Sequence, residues 1–267
     1  MSQPVAISDP DDPRVAPYRN VRERDLVGRE GRFVAEGEVV LRMLVRSDRH
    51  RAESVFVDER RLGKLAPLLA ELPPETPVYA AAQTVVDRVA GFHLHRGILA
   101  IGRRAAEPSA QTLLSTLEGP GVVVVLFGIS NHDNMGGIFR NAAAFGARAV
   151  LLDAACCDPL YRKAIRVSVG HALTLPFARL PGTDPLAPLL AEGFEPLALT
   201  PGGATTLSEL EPAARSAVLL GTEGEGLPPA IIDACRSVTI PMAAGVDSLN
   251  VATTSGIVLH HLSCAGR

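Results

Sequence analysis

The chain has 267 residues, of which 47% are hydrophobic and 21% charged, with a formal net charge of -3. That length and apolar content allow the cores of two modest domains, and the slight acidity excludes a protein that coats nucleic acid through bulk charge. No apolar run reaches the ~18 residues that would span a bilayer, and the opening MSQPVAISDPDDPR lacks the blocks of a signal peptide, so a soluble, cytoplasmic protein is expected.

Charge is uneven along the chain. Between Arg14 and Arg51 stand ten arginines, no lysine and six acids, a local excess of four positive charges. Such a run is usually a solvated face; the other reading is a surface for phosphates, which the planar guanidinium fork suits. FVAEGEVVLRMLVRS (33–47) spaces Val39, Val40, Met43 and Leu44 for a helix. SVFVDE then reads as a strand, LGKLAPLLAEL as a helix, TPVYAA as a strand, TVVDRVAGF as a helix and RGILAIG as a strand. This alternation predicts a small α/β/α layer domain over residues 1–104. Over 105–119 the periodicity fades while proline, serine and charge accumulate, which predicts a linker or a short connecting helix.

From 121 the pattern restarts with VVVVLFGI, a continuous apolar run of the kind buried on both faces of a parallel sheet. Further strands are predicted at 147–153, 195–200, 216–222 and 237–242, with a last helix from about Asn250 to Cys264. Residues 120–267 therefore read as a mostly parallel α/β domain. Ligands of such sheets sit beyond the carboxyl ends of the strands, which singles out three loops: GISNHDNMGGIFR after the first strand, GTEGEGLP after the fourth and IPMAAGVDSLNVATTSG after the fifth. All three are expected to converge, the first as a polar, glycine-bearing loop that runs into an alanine-rich helix.

A glycine-rich loop after a strand suggests a dinucleotide, but the G-x-G-x-x-G fingerprint is missing from the first turn and no phosphate-loop motif occurs. Glu223 and Glu225 would repel a pyrophosphate, so the second loop favours a neutral or cationic ligand. Cys156 and Cys157 are adjacent while Cys235 and Cys264 stand apart, which matches neither a zinc spacing nor a disulfide framework and predicts reduced thiols without a role. His93 and His95 in FHLHRG could hint at a metal, but the sequence offers them no nearby carboxylate or cysteine, and no metal is expected.

Together the loops carry a resemblance. Asn134, Gly136, Arg140 and Gly146 meet the pattern N-x-G-x-x-x-R-x-x-x-x-x-G; LLGTEGEGL (219–227) and IPMAAGVDSLNVATTSGIVL follow in order, with RKAIRVSVGHALTLPF (162–177) between. This resembles the SpoU-type, or TrmH-type, RNA ribose 2′-O-methyltransferases of the SPOUT superfamily. The first half is similar, through FVAEGEVVLRML and HRGILAIG, to the L30e-like RNA substrate-binding domain that many members carry. Two positions depart from the family: His132-Asp133 stand where a proline is common, and Thr222 where an asparagine is common.

The resemblance implies a SPOUT α/β domain with a deep trefoil knot and a homodimer, for which the apolar last helix (252–264) is a candidate interface. It implies S-adenosyl-L-methionine as cofactor, held near Leu220, Gly221, Gly226, Ile240, Met242, Leu249 and Asn250. It implies RNA, ribosomal or transfer, as partner, and methyl transfer to a ribose 2′-hydroxyl. The family's catalytic positions fall on Asn134, Arg140, Glu223, Ser248 and Asn250, with Arg140 as base or as the grip on a phosphate, Glu223 holding it, and the asparagines orienting the hydroxyl. Arg162, Lys163 and Arg166 read equally as RNA contacts or as a solvated face, and Asn250 alone would read as a helix cap. Competing readings are a catalytically silent RNA-binding protein on the same fold and a small-molecule enzyme on a doubly wound sheet.

Overall fold

A computed structural model describes residues 3–19, 26 and 30–265. In chain order the strands are β1 (Val5–Ala6), β2 (Arg32–Glu36), β3 (Arg51–Asp58), β4 (Val78–Ala81), β5 (Ile98–Arg103), β6 (Gly121–Leu126), β7 (Ala149–Leu152), β8 (Phe177–Arg179), β9 (Glu195–Leu199), β10 (Thr205–Thr206), β11 (Arg215–Leu220) and β12 (Arg236–Thr239). The α-helices are α1 (Glu38–Val45), α2 (Leu62–Leu69), α3 (Gln83–Ala90), α4 (Ala110–Ser115), α5 (His132–Ala144), α6 (Arg162–Val167), α7 (Ala187–Ala191), α8 (Pro229–Asp233) and α9 (Val251–Ala265). The chain divides into two compact units, one of Met1–Ala105 with Asp158–Thr174, the other of Ala106–Cys157 with Leu175–Arg267.

The first unit is built on a mixed sheet ordered β1-β4-β3-β5-β2, with β1, β4 and β3 parallel and β5 antiparallel to both β3 and β2. Phe56 and Tyr18 pack in its core with ring centroids 5.3 Å apart, and the buried Tyr18 hydroxyl is satisfied by Ser54 Oγ at 2.6 Å. The stretch FVAEG, expected to open a helix, is instead the end of β2; Gly37 at φ 91 breaks the chain before α1 starts at Glu38. An apolar run this short satisfies either period, and pairing with β5 decides it.

Residues 158–174 belong to this unit although they lie between two strands of the other. Arg162 pairs with Glu36 and stacks over Phe92 at 5.4 Å, Arg104 pairs with Asp158, and Ser47 Oγ donates to Leu173 O at 2.8 Å. Arg162 is therefore committed to packing, while Arg166 is exposed. Five arginines of the basic stretch are also paired: Arg14 with Asp12, Arg19 with Asp11, Arg32 with Glu53, Arg42 with Glu38 and Arg46 with Glu71. Arg22, Arg24 and Arg29 lie outside the described residues. His93 does have a carboxylate partner, contrary to the sequence reading: α3 brings Asp87 Oδ2 to 2.6 Å from its Nδ1. Among the described residues no group of three or more potential metal ligands assembles.

The second unit carries a sheet ordered β10-β12-β9-β11-β6-β7-β8, in which every pair of neighbours is parallel. Val123, Val124, Val125 and Leu126 are fully buried, as the continuous apolar run predicts for a strand covered on both faces. β8 escapes sequence reading because three residues give no periodicity. The stretch after Arg103 holds α4, capped by Ser109, whose hydroxyl accepts from the Thr112 amide at 3.0 Å.

Candidate active site

The strand order places the site. From β6 the chain winds outward through β7 and β8, then returns so that β11 lies on the other side of β6. Where the winding reverses, β6 and β11 lie side by side, and the region beyond their carboxyl ends is the usual ligand position in such sheets.

Helix α5 begins earlier than the sequence suggests. Asn131 caps it by accepting from the Asp133 amide at 2.8 Å, so Asn134, Gly136 and Gly137 lie within the helix rather than in a loop. Two glycines in one turn disguise it, and one has a packing reason: a Cβ on Gly137 would come within 2.8 Å of the Ala252 methyl on α9. His132 and Asp133 hold the first two helical positions, where a proline also fits, and the Asp133 carboxylate suits the helix N-terminus.

Asn250 joins the three segments. Its Nδ2 donates to Asn134 Oδ1 at 2.9 Å and to Glu223 Oε1 at 2.7 Å. Its Oδ1 accepts from the amides of Ala252 at 3.0 Å and Thr253 at 3.2 Å, which caps α9. One side chain thus starts a helix and ties α5 to the loop after β11. Asn134 is 6% exposed, and with its oxygen engaged it presents its NH2 as a donor. The contact between α5 and α9 continues seven residues on, where Asn141 Nδ2 donates to Ala252 O at 2.7 Å and to Ser255 Oγ at 3.0 Å. That spacing puts Asn134 and Asn141 on one helical face, a signal legible in the sequence.

The other expected residues are more dispersed. Arg140 is exposed on the third turn of α5, and among the described residues its guanidinium has no hydrogen-bond or ion-pair partner; Glu223 bonds Asn250 instead. Ser248 is exposed in the loop after β12, also without a partner among the described residues. Leu220 is buried at the end of β11. Gly221 tolerates no side chain, because a Cβ would strike the Gly226 carbonyl and the Leu227 amide. Thr222 and Gly226 exchange backbone hydrogen bonds at 3.2 Å, closing 222–226 into a tight turn that carries both Glu223 and Glu225. Met242 is half-buried, while Leu249 is 37% exposed. Ile240 lines a hollow of about 360 Å³ with Leu207, Pro241, Ile257, His260 and His261.

Residues 121–260 match the SpoU rRNA Methylase family. An uncharacterized tRNA/rRNA methyltransferase of Mycobacterium bovis is 41% identical over 270 residues, covering 97% of this chain and 92% of its own length. A counterpart of Mycobacterium tuberculosis is 40% identical over the same share. The fold is that of the AdoMet-bound rRNA methyltransferase from Sinorhizobium meliloti, with a TM-score of 0.81, 21% identity and 96% of each chain covered. It is similar also to the SpoU methyltransferase AviRb of Streptomyces viridochromogenes, with a TM-score of 0.79, 22% identity and coverage of 95% of this chain and 97% of that one. By its motifs, by the family match and by relatives aligned over nearly their whole length, the chain belongs to the SpoU rRNA methylase family.

Proposed function

We propose that the protein is a cytoplasmic RNA 2′-O-ribose methyltransferase that uses S-adenosyl-L-methionine and acts on ribosomal or transfer RNA. The observation that carries this reading is the Asn250 amide, which unites Asn134 of α5 with Glu223 of the loop after β11.

The residues fit the cofactor. Gly221 lets the turn after β11 close on the Gly226 carbonyl and the Leu227 amide, which fixes the backbone of that loop, and Glu223 and Glu225 favour a cation over a pyrophosphate. Leu220, Gly221, Gly226, Ile240, Met242, Leu249 and Asn250 remain the proposed contacts. When bound, this cofactor supplies an electrophilic methyl group on a sulfonium.

The chain's own residues must then orient a ribose hydroxyl in line and dispose of its proton. Asn134, with its oxygen held by Asn250, points a donor NH2 that can fix the 2′-oxygen. Arg140, exposed and without a partner among the described residues, is placed in this reading on the adjoining phosphate; a guanidinium hardly deprotonates in proteins, so its role is to hold and neutralise that group. Ser248, exposed in the third loop, is the remaining residue this reading assigns to the site. The knot belongs to the same proposal: β11 enters between β6 and β9, both earlier in the chain, an order that supports a threaded C-terminus. So does the dimer, with Ile257, 39% exposed on α9, as part of its interface. The first unit serves as the L30e-like RNA-recruiting domain.

Substitution Arg140→Ala tests this assignment. Cofactor affinity should stay near wild type while methyl transfer to RNA is lost; full activity in the variant would sink it. Cofactor and RNA binding without any transfer by the wild type would favour the silent RNA-binding alternative.

A further inference from the structure

The turn after β7 makes five hydrogen bonds to the segment that leads from β6 into α5. The Asp153 amide donates to Leu126 O at 3.0 Å, and Asp153 Oδ2 accepts from the Gly128 amide at 3.0 Å. Cys156 Sγ accepts from the Ile129 amide at 3.3 Å and donates to Leu126 O at 3.4 Å. The Cys157 amide donates to Ile129 O at 2.9 Å. The turn is itself braced: Asp153 Oδ1 accepts from the amides of Ala155 at 3.0 Å and Cys156 at 2.9 Å, and Arg179 Nη1, from the end of β8, donates to the carbonyls of Asp153 at 2.9 Å and Cys156 at 3.0 Å.

On its other side the segment meets the loop after β11, for a Cβ on Gly128 would lie 2.5 Å from Thr222 Cγ2. Gly128 holds φ at 67, a conformation that glycine adopts without strain. Burial, with help from the nearby Asp153 carboxylate, pushes the Cys156 thiol up to about 12. It therefore remains a neutral S–H that can donate and accept at once.

We propose that Asp153 and Cys156 are positioning residues for methyl transfer: they clamp Leu126–Ile129, and so fix where the Asn131 cap starts α5 and where Asn134 and Arg140 stand. The inference rests on the methyltransferase reading above. It gives the cysteine pair of the sequence a use in which the Cys156 thiol bridges the Ile129 amide and the Leu126 carbonyl, and the Cys157 amide holds the Ile129 carbonyl. Neither residue touches the reacting atoms.

The test compares Asp153→Asn, Cys156→Ala and Cys156→Ser in the full-length protein. Asparagine keeps the shape of Asp153 but turns one amide acceptor into a donor; serine keeps a group that donates and accepts, which alanine lacks. Expected are a fall in kcat of about 10- to 100-fold for D153N and C156A, with cofactor affinity and KM for RNA near wild type. C156S should recover most of the loss, and the amide protons of Gly128 and Ile129 should exchange faster in D153N and C156A. Unchanged kcat in both variants, or a kcat loss with unaltered exchange at those amides, overturns the proposal. If the wild type transfers no methyl group, the methyltransferase reading fails and this role in methyl transfer with it; the exchange rates then decide separately whether the turn holds the segment.

Discussion

Asn250 is the residue at which stability and chemistry can be separated. Replacing it with alanine removes the cap of α9, at about 1 kcal/mol, and leaves the oxygen of Asn134, only 6% exposed, without its donor. A buried acceptor stripped of its partner costs about 1–3 kcal/mol, whereas the lost bond to the exposed Glu223 adds little. Asn250→Ala should therefore lower unfolding stability by about 2–4 kcal/mol. Asn250→Asp keeps an oxygen for the Ala252 and Thr253 amides and adds a charge that suits a helix N-terminus. It faces Asn134 Oδ1 and Glu223 with a carboxylate instead of an NH2, so the cap survives and the bridge does not. Urea denaturation should place the aspartate variant above the alanine variant by at most about 1 kcal/mol, while both lose methyl transfer. An alanine variant within about 0.5 kcal/mol of wild type would refute the cap and bridge together. An aspartate variant with full activity would refute the need for the bridge.

Two further outcomes concern the first unit. The Arg162 and Glu36 side chains are 16% and 10% exposed, so Arg162→Ala should strand a largely buried carboxylate and destabilise that unit by about 2–3 kcal/mol by denaturation, with a smaller effect for the double replacement with Glu36→Gln. His50, buried against the Phe33 ring, has its pKa lowered from 6.5 to about 4, by burial first and by Arg49 and Arg104 next. Between those values the unfolded chain binds the proton and the folded one does not, so stability is full above about 6.5 and is lost as pH falls toward 4. The His50→Leu variant should show a flatter profile in that window, and an unchanged profile would place the titration elsewhere.

What the sequence disclosed follows from how local each signal is. The run VVVVL can hardly be anything but a doubly buried strand, and its successors at 195–199 and 215–220 read the same way. Asn250 is legible as a cap, and the three motifs are legible as converging loops. The start of α5 is hidden, because Gly136 and Gly137 look like loop residues until Ala252 is seen packed against the second of them. The placement of 158–174 in the first unit is hidden more deeply, since nothing local to Arg162 points to Glu36, 126 positions earlier. Separations of 25 and 27 positions conceal in the same way the bonds from Asp153 and Cys156 to the segment before α5.

The central claim is most directly tested by mapping ribose 2′-O-methylation in total RNA from cells with and without this gene, then restoring it with purified protein and S-adenosyl-L-methionine. The account predicts a 2′-O-methyl group that disappears from ribosomal or transfer RNA with the gene and returns with the wild-type protein but not with the Arg140→Ala variant. A methyl group on a base, or no change at any ribose, would contradict it.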